Sequence, residues 1–342
     1  MHTRFTKIAA MLALILLAGS IVPASAASLK TIQRRANNGD TESQFELGRI
    51  YHYGIDVEPD YKKAMNWYKK AADKGHAGAM NNMAIMYEAG QGVPKNLTRA
   101  LRLYRDSAEK GYAAAQGNLG NMYYYGTGVR RNYEEAFKWY QKAADQGNYV
   151  GENGLSEMYY YGLGVDRDYA EAFKWCSRAA EHGLASAQSS LGGMYIYGIG
   201  TEKDYSEALK WNTKAAEQND SQGQHNLGEM YYNGYGVQQD YSEALKWYLK
   251  AAEQEHPISQ ASIGYMYFMG YGVPQDNTEA AKWTLKAAEQ GHVQSQANIG
   301  LMYYQGSGVR QDNMEAVKWL RMAAEQGHKD AQKLLLDIGQ GW

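Results

Sequence analysis

Cysteine is nearly absent from this sequence, with one residue, Cys176, in 342. A single thiol excludes an intramolecular disulfide and any metal or iron–sulfur centre built on several cysteines. An excess of positive charge is also missing. Lys and Arg total 35 against 37 Asp and Glu, whereas a generic nucleic-acid binder is basic overall. Beyond the N-terminal stretch, no apolar run is long enough to span a bilayer. Proline is scarce, 5 residues against 37 glycines, a balance that suits short helices closed by glycine turns. Tyrosine is abundant at 30 residues, within 13% aromatics. Disordered chains are poor in rings, so these rings point to a packed interior.

The N-terminus has the layout of an export signal. Arg4 and Lys7 form a positive region, and Ile8 to Ala18 is an apolar stretch too short to favour a membrane span. Ala24-Ser25-Ala26 offers a small-x-small cleavage pattern, which predicts a signal over 1–26 and a mature start near Ala27. Leu17-Ala18-Gly19-Ser20 resembles a lipoprotein box, but Ser20 stands where a lipidated cysteine is required, so no lipid anchor is expected. Past the signal the charge is uneven. Residues 27–147 carry 18 basic and 13 acidic side chains, and residues 148–342 carry 15 and 24.

A repeat dominates the rest. Tryptophan stands at 67, 139, 175, 211, 247, 283 and 319, at intervals of 36 except for the first, where Leu103 fills the skipped position. An apolar-small pair keeps the same register, as in Leu47-Gly48, Leu119-Gly120, Leu191-Gly192 and Leu227-Gly228. Each unit reads as two helices. Around Trp247, Leu227, Met230 and Tyr231 share one face of a first helix over 222–233, which Gly234-Tyr235-Gly236 ends. Asp240 then opens the second helix, with Glu243 placed for a capping box. The Asp/Asn position recurs at 60, 96, 132, 168, 204, 240, 276 and 312. Ala64, Ala100, Ala136, Ala172, Ala208, Ala244, Ala280 and Ala316 form an unbroken small column. One pair cannot bury its own apolar face, so the units must stack. The reading is an all-α, right-handed α-solenoid of stacked antiparallel helix pairs. It comprises a capping helix over 27–40, eight repeats over 41–328 and a C-terminal capping helix over 329–342, where Leu336 replaces the small residue.

The run Gln224-x-x-Leu227-Gly228-x-Met230-Tyr231-x-x-Gly234-x-Gly236-Val237-x-x-Asp240-Tyr241-x-x-Ala244-x-x-Trp247-Tyr248-x-x-Ala251-Ala252 closely resembles the Sel-1-like repeat. That family is a branch of the tetratricopeptide-type helical repeats, whose unit is 34 residues. The resemblance covers nearly the whole chain after the signal. It implies an adaptor or scaffold, with bacterial members often exported. A cysteine-rich subgroup linked to β-lactam binding supplies an alternative, a β-lactam-binding or cell-wall-directed hydrolase, but this chain lacks the paired cysteines of that subgroup.

Several motifs look chemical and read better as packing. The G-x-G turns follow helices, not the strand that a phosphate loop follows. Cys176 shares a column with Tyr68, Tyr104, Tyr140 and Tyr248. His76, His256, His292 and His328 share a column after the inter-repeat turn, too far apart to hold one zinc at ~2 Å. Ser107-Ala108-Glu109-Lys110 matches S-x-x-K without its companion motifs. His225 is a candidate for the groove. No catalytic residue, metal site or cofactor is therefore expected.

What varies inside the register is the informative part. One polar column includes Asn82, Asn118, Asn226 and Asn298, whose amides could pair with an extended peptide. A second includes Asn121, Glu157, Glu229 and Tyr265, with Tyr124, Tyr160 and Tyr232 beyond it. Rigid rings beside adaptable polar groups suit recognition. These residues are the expected groove for a protein or peptide partner, in an exported protein of the periplasm or the secreted fraction, with a bacterial envelope favoured. Neither nucleic acid nor a membrane span after signal cleavage is expected.

Overall fold

The computed structural model describes residues 26–341. The export-signal reading of 1–26 lies outside those residues except for Ala26. Among the described residues the chain is all-helical and has no strand. It divides into two compact units at Leu184 and Ala185. The first holds α1 (Ala26–Asn37), α2 (Thr41–Tyr53), α3 (Tyr61–Ala72), α4 (Ala77–Ala89), α5 (Leu97–Glu109), α6 (Ala113–Tyr125), α7 (Tyr133–Ala144), α8 (Tyr149–Tyr161) and α9 (Tyr169–Glu181). The second holds α10 (Ala185–Tyr197), α11 (Tyr205–Glu217), α12 (Ser221–Asn233), α13 (Tyr241–Glu253), α14 (Pro257–Met269), α15 (Asn277–Glu289), α16 (Val293–Gln305), α17 (Asn313–Glu325) and α18 (Lys329–Asp337). Each unit is a stack of helix pairs, an α-solenoid architecture. From α2 to α17, even-numbered helices are the first of each pair and odd-numbered helices the second.

Local chemistry sets the ends of these helices. Asp60, Asn96, Asn132 and Asp240 accept the backbone N–H three residues on, at 2.9, 2.9, 3.1 and 2.9 Å. That satisfies donors the first turn leaves open. The capping box expected at Asp240 is only half made. The Asp240 N–H goes to the Tyr231 carbonyl at 3.0 Å, which ties the turn back to α12, and Glu243 pairs with Lys246 instead. First helices close on a glycine in the left-handed region, such as Gly126 at φ 73°. The second glycine, present in every turn but the first, where Asp56 stands, has a further reason to lack a side chain. Gly164 has φ 70°, and a Cβ there would lie 2.7 Å from the Tyr133 carbonyl carbon of the preceding repeat. The turn of one repeat is thereby seated on the start of the previous second helix.

The glycine column does not face the alanine column alone. It forms the floor of a slot filled by the second-helix ring. A Cβ at Gly120 would stand 2.5 Å from Tyr140 Cδ1, and one at Gly228 would stand 2.5 Å from Tyr248 Cδ1. Tyr68, Tyr104 and Tyr140 are accordingly buried, among Leu119, Leu155, Met86, Met122 and Met158. Burying each such ring stabilises the fold by roughly 1.5–3 kcal/mol. Tryptophan is the edge of this core. Trp175, Trp211 and Trp319 are buried, whereas Trp67, Trp139, Trp247 and Trp283 are half-buried. Lys70, Lys250 and Lys286 lie over the Trp67, Trp247 and Trp283 rings at 3.8, 3.9 and 3.9 Å.

A glutamine ladder links repeats inside each unit. Gln146 donates to Gln116 at 2.7 Å, Gln254 to Gln224 at 2.8 Å, and Gln290 to Gln260 at 2.8 Å. Consecutive first helices also touch, α6 with α8 and α10 with α12. At the C-terminal end Leu336 is exposed, and Leu335 beside it is fully buried.

Candidate interaction surface

The first-helix face is built from below by the buried tyrosines. Their rings fill the glycine slots, and their hydroxyls emerge among the polar residues of the first helices. The Tyr68 hydroxyl accepts from Asn82 Nδ2 at 3.1 Å and lies 3.3 Å from His52 Nδ1. The Tyr104 hydroxyl donates to Glu88 at 2.8 Å, and that of Tyr140 to Asn121 Oδ1 at 2.6 Å. Burial pushes all three phenols well above their ordinary pKa, so they remain neutral donors at any physiological pH.

This arrangement divides the asparagine column. Asn82 and Asn226 are buried, and both leave the expected peptide-binding set. Asn82 is held by Tyr68 and by Asn81, whose Nδ2 donates to Asn82 Oδ1 at 3.1 Å. Asn226 donates to the Ser189 carbonyl at 3.0 Å and to Asn212 Oδ1 at 2.9 Å. Asn118, half-buried, donates to Asn81 Oδ1 at 3.0 Å and so ties adjacent repeats together. Asn298 alone among the four is exposed, accepting from Gln294 at 2.9 Å. The amides at 82, 118 and 226 therefore bond within the fold.

The second column stays nearer to solvent. Asn121, Glu157 and Glu229 are half-buried, and Tyr265 is 49% exposed. Glu157 accepts from Asn153 Nδ2 at 3.0 Å and from the Tyr124 hydroxyl. Burial pushes its carboxyl above the ordinary range, against those two hydrogen bonds. Glu229 accepts the Tyr197 hydroxyl on both oxygens, at 2.5 and 2.6 Å. The half-buried tyrosines brace the start of the next helix. Tyr124 packs on Tyr133, Tyr160 on Tyr169 and Tyr232 on Tyr241, with ring centroids 5.5, 5.4 and 5.1 Å apart.

Three expected residues come together. Tyr232, Tyr265 and Asn298 line one open cleft of about 370 Å³ in the second unit, with Ile258, Ser262 and Gln294. The sequence reading missed Ile258 and Gln294, which lie a turn before the chosen columns. A larger opening of about 610 Å³ in the first unit lies at the turn carrying Arg130 and Arg131. Two adjacent arginines before Asn132 were its only signal in the sequence.

Other motifs resolve as structure. His76, His256, His292 and His328 are N-caps, with Nδ1 accepting the N–H three residues on at 3.1, 3.2, 3.3 and 3.2 Å. His225 is buried, 2.9 Å from Ser259 Oγ, with its ring 4.9 Å from that of His256. Cys176 is buried and its thiol is pushed up to about 12 by that burial. Ser107 is fully buried, donating to the Ala77 carbonyl at 2.7 Å. Among the described residues no cluster of three or more metal-ligating side chains occurs, and no helix is long and apolar enough to cross a membrane.

Comparison with known proteins agrees with this architecture. The Sel1 repeat matches at 41–76, 77–112, 113–148, 150–184, 185–220, 221–256, 257–292 and 293–328. A protective antigen of uropathogenic Escherichia coli strains, which displays an SLR fold, is 36% identical at a TM-score of 0.68. That alignment covers 91% of this chain and 67% of the antigen. A Sel1 repeat protein from Oxalobacter formigenes is 31% identical at a TM-score of 0.63, covering 96% of this chain and 93% of its own. A comparison with the curated proteins finds no match. Eight consecutive matches over nearly all of the described chain, on stacked helix pairs with the same slots and turns, make this chain a member of the Sel1 repeat family.

Proposed function

We propose that this chain is an exported adaptor that holds a protein or peptide partner against the first-helix face of its repeats. Sel1 repeat proteins typically mediate protein–protein interactions. The observation that carries the surface assignment is a stripe of large apolar side chains left in solvent. Ile258, Tyr265 and Phe268 on α14 are 46%, 49% and 44% exposed, and Leu301 on α16 is 38% exposed. Ile258 and Tyr265 line the same cleft as the polar groups of Gln294 and Asn298. Contiguous exposed apolar surface with a polar rim is a mark of partner binding. Export is carried by the charged, apolar and small-residue order of the first 26 residues. That order supports the periplasm or the secreted fraction of a bacterial cell as the site of action.

Site-specific photo-crosslinking in cells tests both parts. A photoreactive residue at Tyr265 is expected to trap a defined partner in the envelope or the medium. The same residue at Lys246, on the exposed side of α13, is expected to trap none, and Leu301→Lys should abolish the Tyr265 product. Equal products from the two positions would remove the face assignment, and recovery of all the protein in the cytoplasm would remove export.

A further inference from the structure

Glu157 is a carboxylate without a cation. Glu135, Glu171, Glu207 and Glu243 on the second helices each pair with the lysine three residues on, at 2.8 to 3.0 Å. Glu157 and Glu229, on first helices, have no ion-pair partner among the described residues. Their hydrogen bonds come from neutral groups, namely Asn153 and Tyr124 for Glu157 and Tyr197 for Glu229. Neutral donors steady the partly desolvated Glu157 carboxylate but leave its charge uncompensated, which is costly in proportion to its burial.

What surrounds the carboxylate specifies what would complete it. Its charge acts on Tyr124, Tyr125, Tyr140 and Tyr161 and helps to raise the pKa of each. Tyr125 and Tyr161 end α6 and α8 and are 60% and 63% exposed. Each ring is set edge-to-face against its neighbour, Tyr125 on Tyr124 and Tyr161 on Tyr160, with centroids 4.8 Å apart in both pairs. Fixed aromatic rings around an anionic base attract cations by quadrupole and by charge together. A carboxylate beside an exposed tyrosine recurs 72 residues later in the same column, where Ile196 and Asn233 replace Tyr124 and Tyr161. Glu229 sits beside Tyr197, which is 52% exposed, and its charge acts on Tyr248. The acidic excess of residues 148–342, 24 acidic against 15 basic side chains, favours a basic ligand at the second of these carboxylates.

We propose that Glu157, with Tyr124, Tyr125 and Tyr161, is a binding site for a basic side chain of the partner, a lysine ammonium or an arginine guanidinium. Glu229 with Tyr197 forms a second site of the same kind in the other unit. The proposal rests on the first-helix face being the recognition surface, and it gives the bound segment a charge. The incoming nitrogen would donate to the carboxylate and lie against the tyrosine rings, turning an isolated charge into a paired one.

The test uses free cations, so it needs no knowledge of the partner. In the full chain with 13C-labelled tyrosine rings, n-butylammonium and n-propylguanidinium are expected to shift the Tyr125 and Tyr161 signals saturably, while n-butyrate and n-butanol leave them in place. Glu157→Gln keeps the shape and the Asn153 contact, and should weaken cation binding roughly tenfold or more, the scale of one lost charge-assisted contact. Tyr161→Leu, at an exposed position, should weaken it less. Circular dichroism checks that both variants stay folded. Equal responses from wild type and Glu157→Gln, or no response to either cation, would overturn the proposal. If the Tyr265 crosslink persists in that event, the adaptor reading survives and only the basic-ligand site falls.

Discussion

The ring of Tyr248 lies directly over Gly228. A Cβ at Gly228 would come within 2.5 Å of Tyr248 Cδ1 and 2.6 Å of Cε1. The residue size at one position of the first helix is therefore set by a ring 20 positions later. Gly228→Ala gains about 1 kcal/mol of helix propensity, yet forces the ring out of its slot, for which overpacking costs about 1–3 kcal/mol. The expected net result is a lower melting temperature, and Gly228→Val should lower it further. Pairing Gly228→Ala with Tyr248→Leu should recover part of the loss. A double-mutant cycle by urea unfolding measures the coupling, and strict additivity would mean that the ring moves aside at no cost.

Trp211 supplies the second test of packing. Its ring is 8% exposed, and its Nε1 donates to Glu207 at 3.0 Å. Trp211→Ala is expected to cost about 3–5 kcal/mol. Trp67, which is only half-buried under Lys70, should cost less. A loss below about 1 kcal/mol for Trp211→Ala would place that ring outside the core.

The period, the helix pairs and their caps could be read from the sequence because each depends on residues within one repeat. Asp240 caps α13 through a bond three residues long, and Gly126 ends α6 where it stands. The fate of the asparagine column could not be read that way. Asn82, Asn226 and Asn298 occupy the same register position. Their exposure is decided 14 residues earlier, by what the second helix before them presents. Tyr68 reaches Asn82 with its hydroxyl, and Asn212 reaches Asn226 with its amide. The equivalent neighbour of Asn298 is Thr284, whose shorter side chain packs beneath Gly264, and Asn298 stays in solvent. Tyr232, Tyr265 and Asn298 meet at one cleft because consecutive first helices lie side by side, a relation that the spacing of 36 implies. Ile258 lies one turn before the columns that vary inside the register, so the spacing did not mark it.

Acid should destabilise the second unit through its histidines. Burial holds His225 down to about 3 and His256 down to about 4. Around them are Ser259 at 2.9 Å from both rings, Tyr248 against His225, and Gln222 near His256. Their folded pKa lies below the unfolded value of about 6.5, so the unfolded chain takes up protons first. The stability they contribute is full above pH 6.5 and is lost as pH falls toward 4. The His256 cap fails in the same range, because a protonated Nδ1 cannot accept the Ser259 N–H. The raised carboxyls of Asp220 and Glu157 oppose this trend, so the informative quantity is a difference between proteins. His225→Asn places there the residue found at the equivalent Asn81 and Asn153. Its melting temperature should fall less than that of wild type between pH 6.5 and 4. Parallel pH profiles would mean that His225 titrates normally.

Glu152 offers the last test, because the chain contains its own control. It occupies the glutamine column of Gln116, Gln224 and Gln260, and its side chain is fully buried. Where those residues meet a glutamine 30 positions on, Glu152 meets His182 at 3.4 Å and Arg178 at 3.0 Å. Burial raises its carboxyl pKa, and His182 and Arg178 oppose that shift. Removing one partner of a buried pair leaves an uncompensated charge, and Arg178→Ala should cost several times more than the median exposed pair, which contributes about 0–1 kcal/mol. Glu152→Gln/His182→Gln rebuilds the pair that the neighbouring repeats use, and should be neutral or stabilising within about 1 kcal/mol. The sign of the double variant decides the matter. Destabilisation as large as that of Arg178→Ala would show that the ion pair is required at this repeat, and neutrality would show that it is one of two interchangeable ways to close the same gap.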